Sequence, residues 1–191
     1  MRSVHTGAVA LALCILVSSC GETPEQDQQA LMAQAEYLVR EARWADAIDV
    51  LKQYLLVHPD DSGAHFYLGR CWLNVSRFNG REGPWLVLAE GELKLALQLF
   101  HQHGEKSTIA RFTDEYFQMI CHLERAKVYL KQLTYLADRR GRLAGATADT
   151  VIRELRQAVA DAKAVDPDSP DVWAFERLVN TLQGPSGNGS R

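Results

Sequence analysis

Three side chains near the middle of the sequence have the types and spacing of metal ligands. His101, His103 and Glu105 lie within five residues and bring together two imidazoles and a carboxylate. A closed metal site uses about four ligands held by further hydrogen bonds. Histidines are also common near the last carbonyls of a helix, where this segment is predicted to lie. A metal-binding protein or small enzyme using this cluster is therefore the alternative hypothesis, and no metal or cofactor is predicted.

Other catalytic motifs are missing from the sequence. It contains no G-x-G-x-x-G, P-loop, H-E-x-x-H, C-x-x-C or nucleophile-elbow spacing. His65 and His122 fall on predicted helix faces, and we interpret them as hydrogen-bonded structural residues. The sequence thus predicts a protein that is not an enzyme and has no small-molecule substrate.

Cys20 ends a short apolar stretch, and its thiol is the second group suited to chemistry. Residues 7–17 are apolar and Arg2 is the only charged side chain before Glu22, whereas a membrane span needs about 20 apolar residues. This pattern is typical of a secretory signal. Residues 17–20, Val-Ser-Ser-Cys, resemble the lipobox of bacterial lipoproteins, which implies cleavage before Cys20 and its acylation. An ordinary cleaved signal peptide is the alternative.

The lipoprotein resemblance also implies a location. Residues 1–19 are the expected signal peptide and residues 20–22 the lipidated end and short tether. Several acyl chains give stable anchoring, because each buried CH₂ contributes about 0.8 kcal/mol. Gly21 stands where enterobacterial lipoproteins retained in the inner membrane have Asp, which favours an outer membrane in a host that has one. We therefore expect a domain that faces the periplasm.

Composition bounds the class of protein. Removal of residues 1–19 leaves 172 residues and changes the net charge from −3 to −4, a length suited to one domain with a sizeable core. A mildly acidic chain lacks the basic surface of a nucleic-acid-binding protein.

Cys71 and Cys121 remain besides Cys20, in a compartment that permits disulfides. They are either one disulfide or two buried thiols.

Residues 23–182 are predicted to be almost entirely helical. Proline is confined to junctions and the tail, and no run alternates apolar and polar residues with a period of two. The first helix starts at Thr23-Pro24 and carries Leu31, Ala35, Leu38 and Ala42 on one face. The second helix ends at residues 58–59, and residues 60–62 cap a third. A loop is predicted over 74–84. Further helices are predicted over 85–103, 147–165 and 171–182, and the stretch over 109–137 is one helix or two. Residues 183–191 are the predicted disordered tail.

The helices pair in a repeating pattern. In a 34-residue unit from Gln28 that closes at Pro59, Ala35 and Ala47 fall at the small eighth and twentieth positions. This resembles the tetratricopeptide repeat, in which two helices approach closely only where Ala or Gly stands. Leu68-Gly69 and Trp72 match a second unit, and Ala126 and Tyr129 match a stretched third unit. The resemblance covers residues 28–182 and implies an all-α fold of antiparallel helix pairs, stacked as a short right-handed solenoid that is irregular in its C-terminal half.

The resemblance also implies a binding groove. In the tetratricopeptide family the inner faces of the A helices receive a peptide or helix of a partner. These positions correspond here to Met32, Glu36, Val39, Arg40, Phe66, Arg70, Leu73 and Asn74. Arg40 and Arg70 are suited to a partner carboxylate, and Phe66 to an apolar anchor. The alternative is that the stretch 109–137 fills the groove.

Two further surface features have open interpretations. The basic residues between 125 and 142 either meet anionic lipid head groups or form a solvated helix end; they are Arg125, Lys127, Lys131, Arg139, Arg140 and Arg142. Trp72, Phe78 and Trp85 flank a Gly-rich insertion, where they either anchor a partner or seal the core.

Taken together, these features predict a membrane-anchored scaffold that binds a protein partner in the cell envelope. A narrower alternative, resting on fold analogy, is an assembly or pilotin-type lipoprotein of an outer-membrane or pilus machine. A melting temperature that falls on addition of a chelator would instead favour the metal-binding hypothesis.

Overall fold

The computed structural model describes residues 24–75, 82–104, 112–139 and 147–182. These residues form helices and their connections, with no strand in the described ranges, so the predicted all-α fold is confirmed. The helices are α1 (Pro24–Arg40), α2 (Trp44–Leu55), α3 (Ser62–Val75), α4 (Glu82–His103), α5 (Asp114–Arg139), α6 (Ala148–Val165) and α7 (Pro170–Thr181). The predicted signal peptide, the tether and the tail lie outside the described residues.

Consecutive helices are antiparallel. Only residues 41–43 separate α1 from α2, and the residues in contact between later neighbours run in opposite order along the two helices. These pairs are His65–Glu92 and Trp72–Trp85 between α3 and α4, and Phe100–Phe117 and Glu90–Gln132 between α4 and α5. His122–Asp161 joins α5 to α6, and Lys163–Glu176 joins α6 to α7. The chain therefore forms a row of helical hairpins, as the repeat pattern predicts.

Alternate helices are parallel and also touch. Tyr67 of α3 contacts Glu36 of α1, and residues contacting between α3 and α5 run in the same order along both helices. These pairs are Phe66–Phe117, Arg70–Glu124 and Leu73–Lys131. The helices α1, α3 and α5 thus lie side by side in one layer.

Small residues allow the helices to approach. A Cβ at Gly69 would lie 2.8 Å from Leu93 Cγ and 3.1 Å from the Ala89 carbonyl oxygen, so only glycine fits between α3 and α4. Ala35 and Ala47, predicted at the crossing of α1 and α2, are fully buried, as is Ala126 of α5. The periodic small residues therefore occupy packing positions between helices, as predicted.

The interior is divided into clusters that α5 connects. The largest contains side chains from α1 to α5, and a second is formed by α5, α6 and α7 around Tyr129, Leu155 and Val179. A small third cluster joins Met119 of α5 to Val172 of α7. Each hairpin therefore packs mainly on its sequence neighbours, and α5 contributes to every cluster.

Several predicted boundaries need correction. Ala42 does not lie on the face of the first helix, because α1 ends at Arg40 and Ala42 is in the left-handed region at φ 56°. The predicted loop over 74–84 is too long, since α3 continues to Val75 and α4 begins at Glu82. From Asp114 onward, the 109–137 stretch is one continuous helix, α5.

The antiparallel order gives the array two edges. We call one the leading edge: it contains the first turn of α1, residues 56–61, the C-terminus of α4 and residues 166–169. The opposite, trailing edge contains residues 41–43 and the first turn of α4.

Candidate partner-binding surface

Half of the residues predicted to line the groove belong to the core instead. Met32, Val39, Phe66 and Leu73 are only 5%, 7%, 0% and 2% exposed, respectively. A partner cannot reach these side chains in this structure. The prediction that they contact a partner is wrong in this structure, because α1 packs against α2 and α3, and α3 packs against α4 and α5.

Phe66 illustrates how α5 closes the groove. Its ring lies 5.8 Å from that of Phe117 and 6.4 Å from that of Phe112, measured between centroids. Phe117 in turn lies 5.3 Å from Phe100 of α4. The apolar anchor expected from a partner is thus supplied by the chain itself, which is the self-filled alternative.

The polar members of the predicted set stay nearer the surface. Glu36 accepts a hydrogen bond from the Tyr67 hydroxyl at 3.1 Å, and Asn74 Nδ2 donates to the Arg70 carbonyl oxygen at 2.8 Å. Arg40 is exposed at the last turn of α1 and has no ion-pair partner among the described residues. These contacts fix Glu36 and Asn74, and leave the Arg40 guanidinium open to solvent.

Arg70 faces a carboxylate of α5. Its Nε atom lies 3.8 Å from Oε1 of Glu124, which also accepts a hydrogen bond from Lys127 Nζ at 2.9 Å. The Glu124 side chain is almost fully buried, whereas those of Arg70 and Lys127 are 38% and 44% exposed. One carboxylate is therefore shared by two cations that both reach solvent.

These cations form a row across the layer of alternate helices. Arg40 follows Glu36 by one helical turn, and Arg70 follows Tyr67 by one turn, so both lie on the same faces as the contacting Glu36–Tyr67 pair. Lys127 continues the row on α5 through Glu124. We call Arg40, Arg70 and Lys127 the basic strip. It carries three positive charges beside two carboxylates, Glu36 on α1 and the buried Glu124 on α5, and this net positive charge is suited to anionic groups.

A buried polar network, which the sequence does not predict, lies between α4 and α5. Glu90 accepts hydrogen bonds from Tyr129 at 3.0 Å and Gln132 at 3.2 Å, and pairs with Lys94 at 2.6 Å. Burial raises the pKa of Glu90, but Lys94 and Gln132 outweigh it and the net pKa is lowered. The only available signal was a set of polar residues at helical spacing on apolar faces.

The basic residues after 125 are engaged within the protein where the structure describes them. Arg125 is 9% exposed and approaches the Tyr129 hydroxyl and His122, while its Nε is buried without a hydrogen-bond partner. Lys127 bonds Glu124, and Lys131 donates to the Leu73 carbonyl. Arg125 and Lys127 thus contact side chains of their own helix, with the Lys127 ammonium still reaching solvent, and Lys131 joins α5 to α3. Arg140 and Arg142 lie outside the described residues.

Both buried histidines have hydrogen-bond or ionic neighbours. His65 Nδ1 lies 2.6 Å from Glu92 Oε2 and Nε2 lies 2.8 Å from the Pro59 carbonyl oxygen. Burial lowers the pKa of His65, but Glu92 and the Pro59 carbonyl outweigh it and raise the pKa overall. His122 is different, because burial dominates over Asp161 at 3.7 Å and lowers its pKa to about 4.

The predicted metal cluster is not assembled where the structure describes it. His101 and His103 are exposed on the last turn of α4, and Glu105 lies outside the described residues. The described ranges contain no group of three or more His, Cys, Asp or Glu side chains placed to hold a metal ion. The described residues therefore form no metal site around His101 and His103.

The two internal cysteines are free thiols. Cys71 and Cys121 are fully buried and form no disulfide with each other. Burial raises the pKa of Cys71 to about 12 and also raises the pKa of Cys121. The disulfide considered from the sequence is therefore absent, and both cysteines act as small apolar residues.

The two tryptophans beside the insertion are half-buried. Trp72 and Trp85 lie 6.2 Å apart between ring centroids, and the Lys52 ammonium lies 4.9 Å above the Trp72 ring. Trp72 packs against the main core. The structure thus supports the core-sealing interpretation for Trp72, while Phe78 lies outside the described residues.

Comparison with known proteins gives no relative. No family model, curated protein or solved structure matches this chain. Among the described helices, none is long and apolar enough to cross a membrane.

Proposed function

We propose that this protein is a membrane-anchored, non-enzymatic scaffold that binds an acidic segment of a protein partner in the cell envelope. The observation that carries the proposal is the basic strip, where Arg40, Arg70 and Lys127 align across α1, α3 and α5. The lipobox-like residues before Cys20 and the tetratricopeptide-like spacing of small residues support the anchored, scaffold-like character.

Charge rather than apolar contact is the expected basis of recognition. The apolar groove positions are buried in the core, which leaves exposed guanidinium and ammonium groups as the surface available to a partner. Arginine binds carboxylates with two parallel hydrogen bonds, which gives geometric specificity as well as attraction. Contacts at this exposure are screened by salt, with a Debye length of about 8 Å at physiological ionic strength. We expect a salt-sensitive, reversible interaction.

The proposed binding can be tested by site-specific crosslinking. A photoreactive amino acid at Tyr37, which is 51% exposed on α1, would be activated in intact envelopes, with the same probe at Arg153 on α6 as the control position. We expect an adduct from position 37 that disappears when Arg40 and Arg70 are both changed to Glu. The identity of the adduct would show whether the partner belongs to an outer-membrane or pilus assembly machine.

Two results would contradict the proposal. One is an adduct yield from position 37 that is no greater than the yield from position 153. The other is an adduct of equal yield after charge reversal, since then the basic strip is not used. The control pair Arg153→Glu and Lys163→Glu, on the other helix layer, should leave the yield unchanged.

The anchor has its own test. Cys20→Ser should either release the protein from the membrane fraction or block removal of residues 1–19, because a hydroxyl cannot replace the thiol in lipobox processing. The measurement is fractionation with mass determination of the mature N-terminus. A Ser variant that is processed and still sediments with membranes would refute lipid attachment.

A further inference from the structure

An exposed apolar pair lies at the leading edge of the array. Leu56 is 84% exposed and Val57 is 56% exposed, just after the end of α2. Leu56 is the most exposed of the large apolar side chains that the structure describes. Neither residue belongs to the basic strip or to a core cluster.

The geometry of the first hairpin brings this pair beside the start of α1. Since only residues 41–43 connect the helices, α1 and α2 run back alongside each other from the trailing edge. At 1.5 Å per residue, α2 with 12 residues extends about 18 Å and α1 with 17 residues extends about 25 Å. The first turn of α1 therefore reaches slightly beyond Leu55, level with Leu56 and Val57.

The proposed lipid anchor lies very close to the same point. Cys20 precedes Pro24 by four residues, which span at most about 14 Å when fully extended. If Cys20 is acylated, the start of α1 cannot move further than this from the bilayer surface. Leu56 and Val57, at the same level of the array, are then held within reach of the lipid head groups.

We propose that Leu56 and Val57 dock onto the lipid bilayer and fix the orientation of the anchored domain, with the leading edge against the membrane. This inference rests on the proposed function, because it requires acylated Cys20. Val57 and Leu56 are aliphatic, and within residues 56–61 Asp60 is the only exposed carboxylate. Burial of one Leu side chain is enough to shift an orientational equilibrium about tenfold or more.

The orientation has a consequence for the basic strip. Arg40 lies on the last turn of α1, which is about 25 Å from the first turn at 1.5 Å per residue. With the leading edge on the membrane, Arg40 is held away from the lipid surface and faces the periplasmic space. Docking would thus present the strip to a partner rather than to anionic head groups.

An environment-sensitive fluorophore can test this orientation. Cys71 and Cys121 are buried, so a cysteine introduced by Asp60→Cys can be labelled with an NBD probe in the native, acylated protein. Val87→Cys, at a 52% exposed position near the start of α4, gives the control probe toward the trailing edge. Both proteins would be reconstituted into phosphatidylethanolamine–phosphatidylglycerol vesicles with or without brominated lipid.

The expected result is a blue-shifted probe at position 60 that brominated lipid quenches, with a water-like, unquenched probe at position 87. Changing Leu56 and Val57 to Ser should shift the ratio of docked to undocked protein about tenfold or more toward the undocked state, measured as a loss of quenching at position 60. Because both residues are exposed and Ser adds no charge at the C-terminus of α2, the melting temperature should change little.

The other outcomes separate the two proposals. Protein that floats with the vesicles while both probes remain water-like overturns the docking and leaves the anchor intact. Protein that does not float overturns both. A blue shift at position 60 that grows with protein density and resists brominated lipid indicates a second copy on this surface, and also overturns lipid docking.

Discussion

At the scale of single residues, the turn between the first two helices is the most informative. The Arg43 amide donates to the Leu38 carbonyl at 2.9 Å and the Ala42 amide to the Val39 carbonyl at 3.2 Å. This is the Schellman pattern, in which the residue at Ala42 adopts a left-handed conformation that usually requires glycine. Ala42, at φ 56°, therefore carries a local strain.

Replacing this alanine should stabilise the protein. The left-handed conformation costs an L-residue roughly 1–2 kcal/mol, and glycine removes that strain while losing part of the gain to greater freedom in the unfolded chain. We expect Ala42→Gly to raise the free energy of unfolding by about 0.5–1 kcal/mol, measured by urea denaturation. A loss of stability would mean that this turn differs from the one described.

Two glycines in neighbouring helices give a matched pair of substitutions. A methyl group at Gly69 meets Leu93 Cγ at 2.8 Å, whereas one at Gly91 meets nothing within 4 Å. We expect Gly91→Ala to stabilise by about 0.5–1 kcal/mol through helix propensity and Gly69→Ala to destabilise by about 1–3 kcal/mol through overpacking. Equal stability of the two variants would contradict the close crossing of α3 and α4.

Residue spacing predicted some of these features and missed others for a physical reason. Ala35, Ala47 and Gly69 could be assigned to helix crossings, because small size at a fixed period has one simple explanation. Phe66 could not be assigned correctly, since spacing gives the face of a helix and not what covers that face. The cover comes from Phe117, which is 51 positions later in the chain.

At the scale of helices, two histidines at contacts between helices should make the stability of the fold depend on pH in opposite directions. In the unfolded chain an imidazole binds its proton near pH 6.5, whereas folded His122 does so only near pH 4. Acid in this interval therefore favours the unfolded chain. His65 has a raised pKa, so its stabilising contribution is full in acid and is lost as the pH rises through that value.

Substituting each histidine should separate these effects. Because of His122, the native protein should lose up to about 3 kcal/mol of its free energy of unfolding as the pH falls from 6.5 to 4. His122→Gln should abolish this loss. His65→Gln should instead lose stability relative to the native protein mainly on the acid side. Urea denaturation at pH 4.5, 6 and 8 provides the measurement. Parallel pH profiles for the native protein and both variants would contradict the assigned environments.

The packing of α5 over α3 can be measured through Phe66 and Phe117. Removing either buried ring should cost about 3–5 kcal/mol, and the rings, 5.8 Å apart, should show a coupling of about 0.5–1.5 kcal/mol in a double-mutant cycle. Val151→Ala on α6 is a control partner from a different core cluster. Independent effects of Phe66→Ala and Phe117→Ala would show that α5 does not fill the groove.

At the scale of the whole molecule, the two buried thiols report on opening of the largest core cluster. Cys71 lies in α3 and Cys121 in α5, and both are 0% exposed. We expect neither to react with a thiol reagent in the native state and both to react in denaturant without prior reduction. Fast native labelling of Cys71 or a thiol count that rises only after reduction would contradict the free, buried state.

Much of the overall architecture was accessible from sequence. Caps and prolines marked most helix boundaries; for example, Asp61, within the predicted cap of the third helix, accepts a hydrogen bond from the Ala64 amide at 3.0 Å at the start of α3. The polar network around Glu90 and Tyr129 was not accessible, because a polar residue on an apolar face gives no indication of its partner. Such pairings depend on how α4 and α5 meet, which local spacing does not determine.

The row of hairpins also determines the order in which the chain can acquire its structure. Every helix packs most closely on the helix just before or after it, so each one can pack as soon as the next 20 or so residues have been made. At a synthesis rate of about 5–20 residues per second, an apolar face waits on the order of seconds for its cover. The low separation of contacts also favours rapid folding. A chain that emerges N-terminus first can therefore pack hairpin by hairpin behind its own leading end, and the cover of α3 is completed when α5 follows two helices later.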